Sequence, residues 1–282
     1  MAVRIVTDST CDLPEEQRRE LGVVTVPLRL SFGDQEYRDR VDLDDQEFMR
    51  RLERARQLPR TSQPPPGEFE QAYRGLLREP DDEVISIHIA AKLSGTVSSA
   101  TIAAQAVDPE RIQVLDSRTV SLGTGFQVLE AASLAAQGHS AAEIARELQP
   151  LSERAGIICL LDTLRYLELG GRIGKVGALL GSALSIKPLI SLGQDGALVV
   201  LGRVRSRSAG IRRLQELLRE HGQLARCGVL YVGDRGDAER LLEASRRTLP
   251  EVEFMLQHAS PVLSSHCGPG TLAYCYLESP PR

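Results

Sequence analysis

The chain has 282 residues, 42% of them hydrophobic and 26% charged, a balance typical of a globular protein rather than a disordered or collagen-like one. Its 34 basic and 38 acidic residues give a net charge of −4, so a broad basic surface for nucleic acid is not expected. The N-terminus lacks the pattern of a secretory signal, and no apolar run has the length of a membrane span. Five scattered cysteines without a CxxC pair indicate reduced thiols and a cytoplasmic protein.

The N-terminal half alternates strand and helix patterns, as α/β proteins do. Short β-branched runs predict strands at Val3–Val6, Val84–Ile89 and Ile112–Leu115, and Ala- and Leu-rich periodicity predicts helices at Ser98–Val107, Val120–Gln137 and Ala141–Leu148. Between the first two strands lie an extended run (Val23–Phe32), a charged helix (near Asp44–Arg56), a Pro-rich turn (Thr61–Pro66) and a further helix (Gly67–Arg78). We expect residues 1–155 to form a domain with a parallel sheet between two helical layers.

The pattern changes after residue 155. Ile186–Leu192 and Ala197–Val204 flank Asp195-Gly196, a strong turn signal for an antiparallel hairpin. Further strands are predicted at Ile157–Leu161, Cys227–Val232, Glu253–His258 and Thr271–Leu277, with helices at Thr163–Glu168, Ala209–His221 and Asp237–Thr248. Residues 156–282 are therefore predicted to form an α+β domain with a mixed or antiparallel sheet.

Three predicted strands end in an acid–hydroxyl pair: Asp8-Ser9, Asp116-Ser117 and Asp162-Thr163. The simpler interpretation is helix capping, because Asp and Ser accept hydrogen bonds from free amides at a helix start. The first two pairs also fall at the carboxyl edge of the predicted parallel sheet, where open α/β folds bind ligands. A single carboxylate without a visible partner is weak evidence that Asp8 acts as an acid or base.

Two donor-rich segments are suited to binding an anion. Leu93-Ser94-Gly95-Thr96 opens a predicted helix, where backbone amides and hydroxyls converge on a carboxylate or phosphate. Thr61-Ser62-Gln63 places more donors on a turn that the following prolines stiffen. Taken alone, each segment is equally consistent with an ordinary cap or turn.

The tract Gly170-Gly171-Arg172-Ile173-Gly174-Lys175 is not a nucleotide-binding P-loop. Leu169 and Val176 stand where that motif needs a glycine and a hydroxyl residue. The tract does place Arg172 on a glycine-flanked loop, where the guanidinium pairs with a phosphate, with an acidic protein or only with solvent.

His266 opens the segment His266-Cys267-Gly268-Pro269-Gly270 before the last predicted strand. With glycines beside it, its imidazole is expected to be approachable and able to donate to a carboxylate. No metal site is expected, because no second ligand pair of suitable spacing accompanies His266 and Cys267. Cys11 follows Asp8-Ser9-Thr10, but no histidine partner marks it as a nucleophile.

Five segments follow one another from near the first residue to the last strand. They are IVTDSTCDLP (Ile5–Pro14), TSQPPPGEF (Thr61–Phe69), LSGT (Leu93–Thr96), DTLRYLELGGRIGK (Asp162–Lys175) and HCGPG (His266–Gly270). In this order and spacing they resemble the DegV family of bacterial fatty-acid-binding proteins, over essentially the whole chain. The resemblance implies two α/β domains with a long-chain fatty acid buried between or beneath them.

The resemblance also implies roles for particular residues. In similar proteins the carboxylate is held by the threonine of the TS motif, the serine of SGT and the histidine before GPG, which are Thr61, Ser94 and His266 here. Ser62 and the amide of Gly95 are expected to assist them.

Members of the family are substrate-binding subunits of fatty acid kinase, which connects them to phospholipid metabolism. They present the carboxylate to a separate ATP-dependent kinase that makes an acyl phosphate. Arg172, the arginine of GGRI, is then implied in phosphoryl transfer or in docking of the kinase. Val97 replaces an aromatic residue that is usual in the family, so the path of the acyl chain or its entrance is expected to differ.

We therefore expect a carrier of a C14–C18 fatty acid such as palmitate, with no cofactor, no metal and no turnover of its own. Two alternatives stay open. A self-contained small-molecule kinase or hydrolase would need a nucleotide site or a nucleophile–base pair, and neither is found in the sequence. A lipid-sensing module without a kinase partner would have the same binding residues.

Overall fold

The computed structural model describes residues 2–55, 57–179 and 186–280. In chain order the strands are β1 (Val3–Asp8), β2 (Val24–Val26), β3 (Arg29–Phe32), β4 (Gln35–Arg38), β5 (Arg60–Ser62), β6 (Glu83–His88), β7 (Ile112–Asp116), β8 (Ala155–Leu160), β9 (Lys187–Leu192), β10 (Leu198–Val204), β11 (Leu224–Tyr231), β12 (Glu253–His258) and β13 (Leu272–Glu278). The α-helices are α1 (Glu15–Glu20), α2 (Asp45–Arg54), α3 (Pro66–Leu76), α4 (Thr96–Val107), α5 (Leu122–Ala136), α6 (Ala141–Arg154), α7 (Arg165–Leu169), α8 (Arg207–Glu220), α9 (Gly236–Thr248) and α10 (Pro261–Cys267). Two 3-10 segments span Ser9–Cys11 and Gly174–Leu179. In the part of the chain so described, no helix has both the length and the apolar character needed to cross a membrane.

The first sheet has the strand order β2-β1-β6-β7, and every neighbouring pair is parallel. β1 and β6 bury most of their side chains, as expected for strands that helices cover on both faces. α3 and α4 pack on one face, and α5 and α6 on the other. The predicted α/β arrangement of the N-terminal half is confirmed. α6 continues beyond the predicted end at Leu148 to Arg154, with Pro150 inside the helix.

The second sheet has the order β10-β9-β8-β13-β11-β12, with β11 and β12 parallel and the other pairs antiparallel. This confirms the predicted mixed sheet and its β9–β10 hairpin, in which Gly196 has a φ of +76°. α8 and α9 cover one face. α5 packs against the other face and also against the first sheet, which explains why it is apolar around most of its circumference. The chain passes to the second sheet at β8, and the division into domains at residue 155 stays a prediction.

The third sheet, with the order β4-β3-β5, is antiparallel and was not expected from the sequence. The predicted extended run Val23–Phe32 is divided between two sheets, because Pro27 cannot donate a ladder hydrogen bond and separates β2 from β3. The predicted turn over Thr61–Pro66 begins instead with β5, in which Thr61 pairs with Leu30 of β3. Proline favours an extended conformation in the residue that precedes it, which suits a strand leading into the proline run.

Candidate functional site

One cavity is lined by strands β8, β9 and β10 of the second sheet, by segments that follow strands of the first sheet, by the segment around β5, and by α7 and α10. Together with the open space at its mouth, the cavity has an empty volume of about 760 Å³. Most of its wall is aliphatic: Leu28, Ile89, Leu93, Val120, Ile157, Leu167, Ile190, Leu192, Leu198, Val262 and Leu263. Such a wall is suited to an alkyl chain, whose burial is favourable in proportion to the apolar area removed from water.

Residues that lie far apart in the sequence supply the polar groups of this cavity. The sequence-predicted residues on its wall are Thr61, Ser62, Ser94, Arg172 and His266. Gly95 is not on the wall but lies behind it, where a Cβ atom would stand 3.0 Å from Gln63 Nε2. Gln63 itself does line the cavity and was not among the predicted site residues, although it follows directly in the TSQ segment.

Thr61 and His266 form a hydrogen-bonded pair, with 2.7 Å between Thr61 Oγ1 and His266 Nε2. Burial, together with the positive charge of Arg172, lowers the pKa of His266 to about 4, so its imidazole is neutral at neutral pH. His266 Nδ1 is buried and has no hydrogen-bond partner among the described residues. Because an unpaired buried N–H costs more than an unpaired lone pair, the tautomer with the proton on Nε2 is favoured. In that tautomer Nε2 donates to Thr61, and the Thr61 hydroxyl is free to donate to a ligand.

Local structure fixes both members of this pair. Thr61 is held in β5 by its pairing with β3. His266 lies in the last turn of α10, whose first turn is capped by the Ser260 side chain accepting from Leu263 N at 3.3 Å. The helix stops at Gly268, which has a φ of +78° and packs so closely on the Tyr166 ring that a Cβ atom there would overlap it. His266 thus lies in a helix with its Nδ1 buried, while its side chain lines the cavity.

Ser94 and Arg172 complete the polar end of the cavity. Ser94 Oγ lies 2.8 Å from Thr96 Oγ1 and accepts from Thr96 N at 3.3 Å, which fixes the hydroxyl at the start of α4. Arg172 donates to Leu93 O at 3.3 Å and to Gly170 O at 2.9 Å, so its backbone partners orient the guanidinium. Arg172 and His266 also line a neighbouring open groove together with Arg60, Arg165 and Leu169. Arg172 thus lies where the cavity meets the outside.

The other candidates lie away from the cavity. Asp8 caps the first 3-10 segment by accepting from Thr10 N at 3.0 Å, so the capping interpretation is correct for this residue. Its carboxylate also lies 3.1 Å from His88 Nδ1. Asp116 likewise accepts from Arg118 N at 2.9 Å. Burial raises the pKa of the Cys11 thiol to about 11, which leaves it unreactive at neutral pH. Val97 lies in the first turn of α4 and is not on the cavity wall.

Comparison with known proteins identifies the family of the chain. A family model described as "Uncharacterised protein, DegV family" matches residues 2–279. The chain belongs to the DegV family. A DegV domain-containing protein of Deinococcus radiodurans is 40% identical over 279 residues, covering 96% of this chain and 97% of the relative.

Two similar solved structures are described as fatty acid binding. One is a DegV family protein of Thermus thermophilus that is described as binding fatty acid. Its structure matches with a TM-score of 0.91 and 36% sequence identity, and the match covers 99% of this chain and 100% of the Thermus chain. A stearic-acid-binding protein of Eubacterium ventriosum has a TM-score of 0.87 and 26% identity, with 98% of each chain covered.

Proposed function

We propose that the protein binds a long-chain fatty acid, with the acyl chain in the aliphatic cavity and the carboxylate at Thr61, Ser62, Ser94 and His266. The observation that carries this proposal is the joining of an aliphatic cavity to a pair of polar residues with unused hydrogen-bonding capacity. The fatty acid binding of the related Thermus protein supports the same ligand class.

The cavity wall supplies most of the binding free energy. A C16 acid has about 14 methylenes, and burying each contributes ~0.8 kcal/mol, or roughly 11 kcal/mol in all. That free energy corresponds to a Kd of roughly 10 nM before the cost of ordering the chain and the protein. The polar residues then orient the carboxylate more than they determine the affinity, and chains of C14–C18 are the expected ligands.

The carboxylate is held by neutral donors rather than by a protonated histidine. With its pKa lowered to about 4, His266 is uncharged at neutral pH and orients the Thr61 hydroxyl toward the ligand. Ser94 donates from the turn before α4, and Gly95 assists indirectly, as the N-cap residue of that helix beside Ser94. Neutral donors orient the carboxylate without a strong ion pair, so its oxygen keeps the electron density that a nucleophile needs.

We further propose that the carboxylate is presented to a separate ATP-dependent kinase, which forms an acyl phosphate. Arg172 borders both the cavity and the open groove, so its guanidinium can approach a phosphoryl group that arrives from outside. Arg60 and Arg165 line the same groove, which favours an acidic partner surface or a phosphate. In this proposal the chain supplies the bound substrate and the kinase supplies the nucleotide.

The test measures binding and phosphorylation separately. Palmitate affinity is measured for the wild type and for Thr61→Val, which keeps the shape of the side chain and removes the hydroxyl. Weaker binding of the variant is expected, and equal binding would contradict the role of Thr61. Acyl phosphate is then assayed with ATP and a bacterial fatty acid kinase. Binding without acyl phosphate formation would retain the carrier and exclude the kinase part of the proposal.

A further inference from the structure

The start of α10 is held by side chains from the N-terminal part of the chain. Asp12 accepts from Ser260 N at 3.0 Å, and Asp39 accepts from Val262 N at 3.3 Å. Arg40 donates to His258 O at 2.6 Å, just before the helix. We call Asp12, Asp39 and Arg40 the Asp–Arg cluster. Its contacts fix the first turn of the helix whose last turn carries His266.

The Asp–Arg cluster is buried and its backbone is strained. Asp12 and Asp39 are 0% and 1% exposed. Asp12 and Arg40 have φ values of +52° and +58°, and Ser121, which donates to Asp12 at 2.6 Å, has a φ of +59°. Non-glycine residues rarely adopt this left-handed conformation, which persists only where the surroundings enforce it, commonly at functional sites. Three such residues in one hydrogen-bonded group show that the surrounding contacts hold this part of the backbone in a fixed conformation.

The cluster holds more acidic groups than cationic ones. Arg40 pairs with Asp12 at 3.0 Å and with Asp45 at 3.3 Å, and Asp39 accepts from Ser9 Oγ at 2.6 Å. His258 lies 3.6 Å from Asp45 and is kept neutral by burial, which lowers its pKa. The neighbouring thiols of Cys11 and Cys275 have raised pKa values of about 11 and about 12, so they carry no charge at neutral pH. Burial also raises the pKa of Asp12 to about 6 and that of Asp39 to about 7.

We propose that Asp39, with Asp12 and Arg40, is a positioning residue for the fatty acid site, because its ionised carboxylate holds the first turn of α10 and thereby keeps His266 against Thr61. This inference rests on the proposed function. It adds a response of fatty acid affinity to pH, since the pKa of Asp12 is about 6 and that of Asp39 is about 7. The response can be told apart from titration of His266, whose pKa is about 4, and from titration of a free carboxylic acid, whose pKa is about 4 to 5.

Affinity and stability respond in opposite directions. An ionised carboxylate is the stronger acceptor for Val262 N, so fatty acid affinity rises with pH as Asp39 ionises. The folded-state pKa of Asp39 lies above its unfolded value, so the native state binds the extra proton and the unfolding free energy falls over the same interval as pH rises. A residue that only supports the fold would change affinity and stability in the same direction.

The experiment uses parinaric acid, a fluorescent C18 fatty acid, with the wild type, Asp39→Asn and the control Asp42→Asn. Asp42 is an exposed carboxylate that pairs with Arg38 on the surface. We expect wild-type and D42N affinity to rise about fivefold from pH 6 to pH 8, as one hydrogen bond becomes charge-assisted. At both pH values D39N is expected to bind parinaric acid about as weakly as the wild type does at pH 6. At pH 8 it is expected to be more stable than the wild type. D39N with wild-type affinity at pH 8, or with affinity and stability both reduced, would overturn the inference.

A second readout needs no ligand and separates this inference from the proposed function. The ¹⁵N shift of His266 Nε2 reports its hydrogen bond to Thr61. In the wild type it is expected to change between pH 6 and pH 8, although the pKa of His266 itself is about 4, and in D39N, in which only Asp12 of the two carboxylates remains, the change is expected to be smaller. A constant shift in the wild type overturns the inference. A changing shift in a protein that binds no fatty acid supports the positioning role and contradicts the proposed function.

Discussion

Gly170→Ala tests the geometry of the head-group site without removing any polar group. Gly170 has a φ of −77° and a ψ of −6°, which alanine adopts without strain. A Cβ atom at this position would overlap His266 Nδ1 and stand 2.9 Å from His266 Cε1. The imidazole must therefore move by about 1 Å, which takes Nε2 out of hydrogen-bond range of Thr61.

The loss of one hydrogen bond determines how much palmitate affinity is expected to fall. Without His266 to orient it, the Thr61 hydroxyl loses its hydrogen bond to the charged carboxylate, which is worth about 1.4 to 2.8 kcal/mol, so palmitate is expected to bind ten- to a hundredfold more weakly. Calorimetric titration measures the Kd, and chemical denaturation checks that the variant is folded, since overpacking itself costs about 1–3 kcal/mol. Gly177→Ala is the matched control in the same glycine-rich tract, because its Cβ would make an ordinary 3.7 Å contact with Ile173. If the two variants bind palmitate equally, the pair formed by His266 and Thr61 does not position the head group.

Three further changes separate binding, presentation and folding. Ser94→Ala is expected to weaken palmitate binding several-fold, about 1 kcal/mol, and to reduce acyl phosphate formation by the kinase; unchanged values for both would contradict its role as a donor. Arg172→Ala is expected to keep palmitate affinity within about twofold while acyl phosphate formation falls at least tenfold. If affinity and acyl phosphate formation fall together, Arg172 acts in fatty acid binding and not in phosphoryl transfer. Asp8→Ala leaves Nδ1 of the buried His88 without its hydrogen-bond partner, while Nε2 keeps its contact with Ser86 Oγ, and a loss of about 2–4 kcal/mol of unfolding free energy is expected in urea with little change in palmitate affinity.

The regular elements of the fold were predictable because local patterns determine them. β-branched runs and apolar periodicity placed β1, β6, β7 and the β9–β10 hairpin to within a few residues. The third sheet was not predictable in this way. β5 has three residues of modest strand propensity, and it exists because Leu30 of a distant strand pairs with Thr61. Residues 180–185, which belong to the uncharged run 176–186 of the sequence, lie outside the described residues.

The candidate site was predictable in its residues but not in its geometry. The motifs indicated Thr61, Ser94, Arg172 and His266, and the structure places all four on one cavity wall. The hydrogen bond between Thr61 and His266 joins residues 205 positions apart, and no local pattern indicates it. The aliphatic wall was equally hidden, because Ile157 and Ile190 have the same appearance in the sequence as residues of a closed core.

The Asp–Arg cluster of buried charged residues was likewise not predictable from the sequence. Asp12 and Asp39 resemble ordinary capping or turn residues in the sequence. Only the tertiary structure places both carboxylates against the start of α10, where Arg40 lies beside Asp12 and donates to the carbonyl of His258.

The most direct test of the central claim is mass spectrometry of the purified protein, first in the native state and then after organic extraction. A mass increase equal to one fatty acid per chain is expected, together with an extracted acid of C14–C18 in stoichiometric amount. A protein that is empty as purified and that also fails to take up added palmitate would contradict the claim that the aliphatic cavity is a fatty acid site.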